Sequence, residues 1–150
     1  MSLLLKILVL ACASSIAVVQ APVASQQIRP EVQQMLDEMN KPFLLESEMR
    51  DGNPKYIFFK LAVRAKAVSE CAAGADLVTI DEALRAFDEW LSDHNAIKLD
   101  KADLSRMKMS AQFFNGVNLI LRNVGCAALF GEDVNHQDSM RPYLEPYFNK

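Results

Sequence analysis

The sequence predicts an all-α fold, a small single-domain bundle of about five helices stapled by one disulfide. Apolar side chains recur at steps of three and four residues over several long stretches, which is the spacing of one helix face. No stretch alternates apolar and polar residues long enough to indicate a strand, and glycine is scarce, with 5 in 150 residues. Cys71 and Cys126 are the two cysteines that follow the predicted leader, and an even pair in an exported protein favours a disulfide.

Residues 1–25 are predicted to be a secretory signal peptide, leaving a helical domain over residues 26–150. One base, Lys6, precedes an apolar run that ends near Val19, and small residues follow it. This order is typical of a signal peptide, and the run is shorter than the ~20 apolar residues of a membrane span. We expect cleavage between Ser25 and Gln26, and a periplasmic or secreted protein with no stable membrane span after cleavage.

Two alternatives for the N-terminus stay open. The leader could be kept as an anchoring helix, or Cys12 in the weak lipobox VLAC could carry a lipid and tether the protein to the envelope. The residues after Cys12 remain hydrophobic, whereas a lipoprotein tether is usually polar, so cleavage is favoured. Removing Lys6 leaves 15 of the 16 basic residues against 19 acidic ones, a net charge of −4. This mild acidity disfavours nucleic acid as a partner.

The first helix is predicted to begin at Pro30, a residue that suits a first helical turn. Its apolar face carries Met35 and Met39. Since methionine-rich faces adapt to apolar partners, these two side chains are a candidate partner or ligand surface, with packing into the core as the alternative. After Pro42 the sequence FLLESEM is compatible with either a short helix or a loop.

Two further helices follow a turn at residues 50–54, which is indicated by Asp-Gly and Asn-Pro. The first is expected over residues 55–73, with Gly74 ending it. The second begins after Thr79, whose hydroxyl and the carboxylate of Glu82 match a capping box.

The longest helix is predicted to run from its cap, Asp100, to about Val124, because apolar residues follow steps of three and four throughout. Its apolar surface extends beyond one stripe, which is typical of a central helix. Gly116 inside it indicates close packing of another helix, with a break there as the alternative. Gly125 is expected to end it.

The C-terminal part is predicted to hold one more short helix, CAALF, closed by Gly131. The tail RPYLEPYFNK is expected to be partly helical and ordered by aromatic packing. Its Tyr143 and Tyr147 complete the candidate partner or ligand surface. In the preceding EDVNHQD, a metal site or acid–base group competes with a solvated loop, and the loop is favoured since such composition is common in loops.

The sequence carries no constellation that indicates an enzyme. There are two histidines, no G-x-S-x-G elbow and no phosphate-binding glycine loop. An EF-hand outline over residues 92–104 fails at its oxygen-ligand positions. We therefore predict no catalytic residue, no metal and no cofactor.

The sequence favours a non-enzymatic protein that binds a protein partner, as an inhibitor, immunity factor, subunit or chaperone. Export, one disulfide, an acidic helical surface and missing catalytic groups support this hypothesis. The alternative is a carrier of an apolar small molecule, which the apolar excess around residues 107–121 favours.

Processing of the leader can be measured on protein recovered from the cells that make it. We expect an intact mass that corresponds to residues 26–150 less two hydrogens, because the leader is removed and one disulfide forms. A lipid adduct on Cys12, or a mass that includes residues 1–25, would contradict this expectation.

Overall fold

The protein folds as seven α-helices, described over residues 28–148 by a computed structural model. The predicted signal peptide, its cleavage site and Cys12 lie outside the described residues. The helices are α1 (Pro30–Asn40), α2 (Pro54–Gly74), α3 (Ile80–His94), α4 (Lys101–Met109), α5 (Ala111–Asn123), α6 (Cys126–Asp133) and α7 (Arg141–Leu144), with short 3-10 turns at Glu46–Glu48 and Glu145–Tyr147. The all-α class is confirmed, with seven helices rather than about five.

The starts of α2 and α3 are fixed by side-chain caps. Asn53 Oδ1 accepts a hydrogen bond from Lys55 N at 2.9 Å, ahead of the Pro54 that opens α2. Thr79 Oγ1 accepts from Glu82 N at 3.2 Å, and Thr79 N donates to Glu82 Oε2 at 2.8 Å. The predicted capping box is confirmed, because each residue pairs with the other's free backbone or side-chain group.

The single long helix predicted from Asp100 to Val124 is wrong, because the chain breaks at Ser110. Ser110 has ψ 143° and caps α5 by accepting from Phe113 N at 3.2 Å, while its hydroxyl donates to Met107 O at 2.8 Å. The residue is 1 % exposed. A buried hydroxyl that uses both its donor and its acceptor stabilises the break, which periodicity alone did not reveal.

Helix α2 lies at the centre of the core and contacts α3, α5 and α6. Ten of its side chains are buried: Phe58, Phe59, Ala62, Val63, Ala65, Ala67, Val68, Ser69, Cys71 and Ala72. A Cβ at Gly116 of α5 would lie 3.1 Å from Val63 Cγ1. The predicted close helix packing at Gly116 is confirmed, and α5 continues through this residue without a break.

The disulfide joins Cys71, near the end of α2, to Cys126, the first residue of α6, with 5.4 Å between their Cα atoms. Gly125 precedes Cys126 with φ 78°, a conformation that favours glycine. The predicted pair and the stop at Gly125 are confirmed, whereas Gly131 does not close α6, which continues to Asp133. Between residues 28 and 148 no single helix has the length and hydrophobicity to cross a membrane. Helices α5 and α6 taken together reach that length and hydrophobicity, but they are bent by 98° relative to each other.

The disulfide closes a sequence separation of 55 residues, so its loss should lower the free energy of unfolding. For Cys71→Ala/Cys126→Ala we expect a loss of ~4 kcal/mol, mainly because the unfolded chain gains freedom. Guanidinium unfolding followed by circular dichroism measures it. Reductant should lower the wild-type midpoint in the same way and leave that of the double variant unchanged; an unchanged midpoint for reduced wild type would contradict the assignment.

Candidate functional site

An apolar groove opens between α3 and α5, above α2, with a volume of about 620 Å³. We call it the α3–α5 groove. It is lined by Lys66, Glu70, Leu84, Phe87, Asp88, Lys108, Phe113, Phe114, Val117, Asn118 and Leu121. Five of these residues lie on α5, all within the apolar segment 107–121 that the sequence analysis identified.

The floor of the groove is aromatic and firmly packed. Phe87 and Phe113 are 1 % and 2 % exposed, and their ring centroids lie 6.0 Å apart. Phe113 also meets Phe59 of α2 edge to face at 6.0 Å. Because each ring is fixed by a neighbour on another helix, the floor is preformed rather than assembled when a ligand arrives.

The rims of the groove expose large apolar side chains. Leu84 on α3 is 44 % exposed, and Phe114 on α5 is 49 % exposed. Val117, between the rim and the floor, is 7 % exposed. Apolar side chains that remain exposed beside an apolar concavity are typical of a binding surface.

The charges that border the groove are paired with one another. Lys66 Nζ lies 2.7 Å from Glu70 Oε1, and Lys108 Nζ lies 2.7 Å from Asp88 Oδ1. The second pair connects α4 to α3. The groove therefore presents an apolar strip bordered by two neutralised ion pairs, with no excess charge of either sign among its lining residues.

Met35 and Met39 lie on α1, away from the lining of the groove. No residue of α1 is buried, and Met35 is 49 % exposed. The segment that follows α1 is hydrogen-bonded to α5. Leu44 N donates to Gln112 Oε1, and Gln112 Nε2 donates to Leu44 O, both at 2.9 Å. Helix α1 contacts α5, so the two methionines remain a candidate surface separate from the groove.

Tyr143 and Tyr147 lie at the C-terminal end and pack partly against the core. Tyr143 Oη donates to Asp93 Oδ2 at 3.0 Å. Partial burial, with the acceptor Asp93 and its charge, raises the pKa of the Tyr143 phenol above its usual value. Since α7 contacts α3 whereas α1 contacts α5, the four predicted surface residues lie on separate elements, and none of them lines the α3–α5 groove.

The expectation of a solvated loop at residues 132–138 is wrong for Asp133, which is 2 % exposed. Its carboxylate accepts from Arg64 Nη1 at 2.9 Å, from Ser139 Oγ at 2.8 Å and from Met140 N at 3.0 Å. The Nη2 atom of Arg64 is buried and has no hydrogen-bond partner among the described residues. Asp133 therefore connects the C-terminal segment to α2 through an ion pair and hydrogen bonds. Its polar sequence context did not reveal this structural role.

Within residues 28–148, no three histidine, cysteine or acidic side chains converge as metal ligands. Comparison with family models, curated proteins and solved structures finds no match to this chain. The α3–α5 groove is the candidate site because it combines a preformed aromatic floor with exposed apolar rims.

Loss of the Asp133 carboxylate should destabilise the fold strongly. We expect Asp133→Asn to lower the free energy of unfolding by about 3 kcal/mol, because the substitution leaves the Arg64 guanidinium largely buried without its counter-charge. Urea unfolding measures it. Glu132→Gln, an exposed neighbour, should change stability by less than about 0.5 kcal/mol; equal effects of the two substitutions would contradict the structural role of Asp133.

Proposed function

We propose that this protein is an exported, non-enzymatic binding protein whose α3–α5 groove takes up an amphipathic helix of a partner protein. The observation that carries the proposal is the apolar groove itself, with Leu84 and Phe114 exposed on opposite rims above a buried aromatic floor. An inhibitor, immunity factor, subunit or chaperone would use such a surface. The disulfide supports export, because such bonds persist in oxidising compartments.

The shape of the groove favours a helix as its occupant. It lies between two helices and remains open to solvent, and a third helix laid on such a surface inserts its apolar stripe between them. Side chains spaced three and four residues apart on the partner would reach the floor formed by Phe87 and Phe113. The partner's polar face would remain in water, so neither molecule has to bury unpaired polar groups.

The paired charges at the border indicate what flanks the partner's apolar stripe. Lys66 with Glu70 and Lys108 with Asp88 supply two charges of each sign among the residues that line the groove. A strongly basic or strongly acidic helix would meet a like charge as often as an opposite one. We therefore propose a partner helix whose apolar stripe is bordered either by side chains of both charge signs or by neutral polar residues.

A second candidate function is the carriage of an apolar small molecule in the same groove. Its volume, about 620 Å³, falls in the range of roughly 300–1,000 Å³ found for small-molecule sites. The exposed rims favour the helix, since a carrier would be expected to bury most of its ligand. Native mass spectrometry separates the two: a small co-purified adduct supports the carrier, and a protein partner supports the helix.

Site-specific crosslinking tests the proposed function. A photo-crosslinking amino acid at Phe114, a groove residue, should capture one discrete protein in the cells that make this chain. The same group at Leu119, which is 61 % exposed on the same helix and does not line the groove, should not capture it. If the same protein is captured from both positions, or if no protein is captured from Phe114, the α3–α5 groove is not the partner-binding site.

Once that partner is purified, Phe114→Glu should weaken its binding by about 30-fold, the size of a hot-spot loss of about 2 kcal/mol. Leu119→Glu provides the matched control and should leave the affinity unchanged. Titration calorimetry measures both variants, and circular dichroism confirms that they keep the helical fold. Equal affinities for the two variants would place the partner elsewhere on the surface.

A further inference from the structure

The chain has two histidines, and both face the carboxylate of Asp138. His94 Nε2 on α3 lies 3.7 Å from Asp138 Oδ1, and His136 Nδ1 lies 3.9 Å from Asp138 Oδ2. The Asp138 side chain is 19 % exposed. Among the described residues these imidazoles are the only ion-pair partners of this carboxylate, which is largely removed from water.

The hydrogen bonds of His94 define its neutral form. His94 Nδ1 lies 2.9 Å from Trp90 O, and since a carbonyl oxygen only accepts, Nδ1 carries the proton. In the neutral ring Nε2 is then a bare lone pair that faces a negative oxygen. Protonation places an N–H at Nε2, which lies 3.7 Å from Asp138 Oδ1, and creates an ion pair that the neutral ring cannot make.

Asp138 also holds the backbone of the segment between α6 and α7. Trp90 Nε1 donates to Asp138 O at 3.0 Å, and Asp138 N donates to His136 Nδ1 at 3.2 Å. Residues 134–140 are thus attached to α3 through Trp90 and His94. The His94–Asp138 contact is the part of this attachment that changes when a proton is added.

The other charged groups near His94 are already engaged. Asp93 on α3 accepts from Tyr143 Oη of α7, and Arg141 Nε donates to Glu145 Oε1 at 2.6 Å. His136 opposes the effect in part, since its Nδ1 accepts from Asp138 N and protonation there would remove that bond. The ion pair that remains to be formed near His94 is therefore the one with Asp138.

We propose that His94 and Asp138 form a proton-dependent clasp, which fastens residues 134–140 to α3 more firmly when His94 is protonated. Neither His94 nor Asp138 lines the proposed partner groove. Histidine is the side chain that ordinarily changes charge between about pH 5 and 8, so acidification over this range is the condition that tests the clasp. Protonation also stabilises the position of α7, which follows this segment.

Two measurements on the disulfide-bonded wild-type protein test the clasp between about pH 8 and pH 5. Trp90, the only tryptophan, stacks on His94 with ring centroids 4.3 Å apart at 12°. Its fluorescence should fall on acidification, because an imidazolium quenches an excited indole that it contacts. Amide hydrogen exchange of residues 134–140, corrected for the intrinsic pH dependence, should slow about fivefold, which corresponds to an ion pair of about 1 kcal/mol.

Variants assign the effect to the two residues. Asp138→Asn should abolish the slowing of exchange while the quenching of Trp90 persists, because His94 still gains a proton but lacks its counter-charge. His94→Gln should abolish both responses. His136→Gln is the matched control and should retain both; if it abolished the slowing instead, the switch would belong to His136 and the proposal would be overturned.

The wild-type protein alone also decides the question, so the test does not depend on a variant that folds. Exchange of residues 134–140 that is unchanged or faster at low pH would overturn the clasp. Protection of the α2 amides serves as the internal reference, because these amides report global opening. Equal slowing in α2 and in residues 134–140 would indicate a general gain in stability and would also overturn the proposal.

Discussion

The close approach of α5 to α2 is the constraint on which the rest of the structure depends. At Gly116 a Cβ would lie 3.1 Å from Val63 Cγ1 and 3.2 Å from Val63 Cγ2, so a side chain at this position would require Val63 to shift by a few tenths of an ångström. The approach places Phe113 one turn away, against Phe59 and Phe87. A glycine inside a helix is unfavourable by ~1 kcal/mol relative to alanine, which is small compared with the aromatic packing that the approach permits.

Much of this fold could be predicted from short sequence signals that determine helix boundaries, from the cysteine pair and from Gly116. The turn at residues 50–54, the cap at Thr79, the stop at Gly125 and the pair Cys71–Cys126 each leave a signal that needs no knowledge of distant contacts. Gly116 belongs with them, because an unfavourable residue within an apolar helix indicates a neighbour that requires its small size. These features determine where helices begin and end, and where two of them must touch.

The features that sequence analysis missed depend on distant contacts. Ser110 interrupts a run whose apolar spacing continues on both sides, so the periodicity is the same for one helix and for two. The break is stabilised because the Ser110 hydroxyl is buried and bonds Met107 O and Phe113 N, and that burial depends on the packing of the whole fold rather than on local spacing. Asp133 was likewise assigned to a solvated loop because its partner Arg64 lies 69 residues earlier in the chain. The groove was predicted only as an apolar excess around residues 107–121, since its other rim belongs to α3.

The groove and the C-terminal attachment share one support, the aromatic ladder of α3. Phe87, in the groove floor, is stacked near Trp90 with centroids 6.4 Å apart at 8°, and Trp90 stacks on His94 at 4.3 Å. Trp90 is 0 % exposed and its indole N–H is held by Asp138 O. A side chain that is enclosed by packing and anchored by its one polar atom has little rotamer freedom left to lose. The floor of the groove is therefore ordered before any partner arrives, and binding there need not bear the entropic penalty of arranging it.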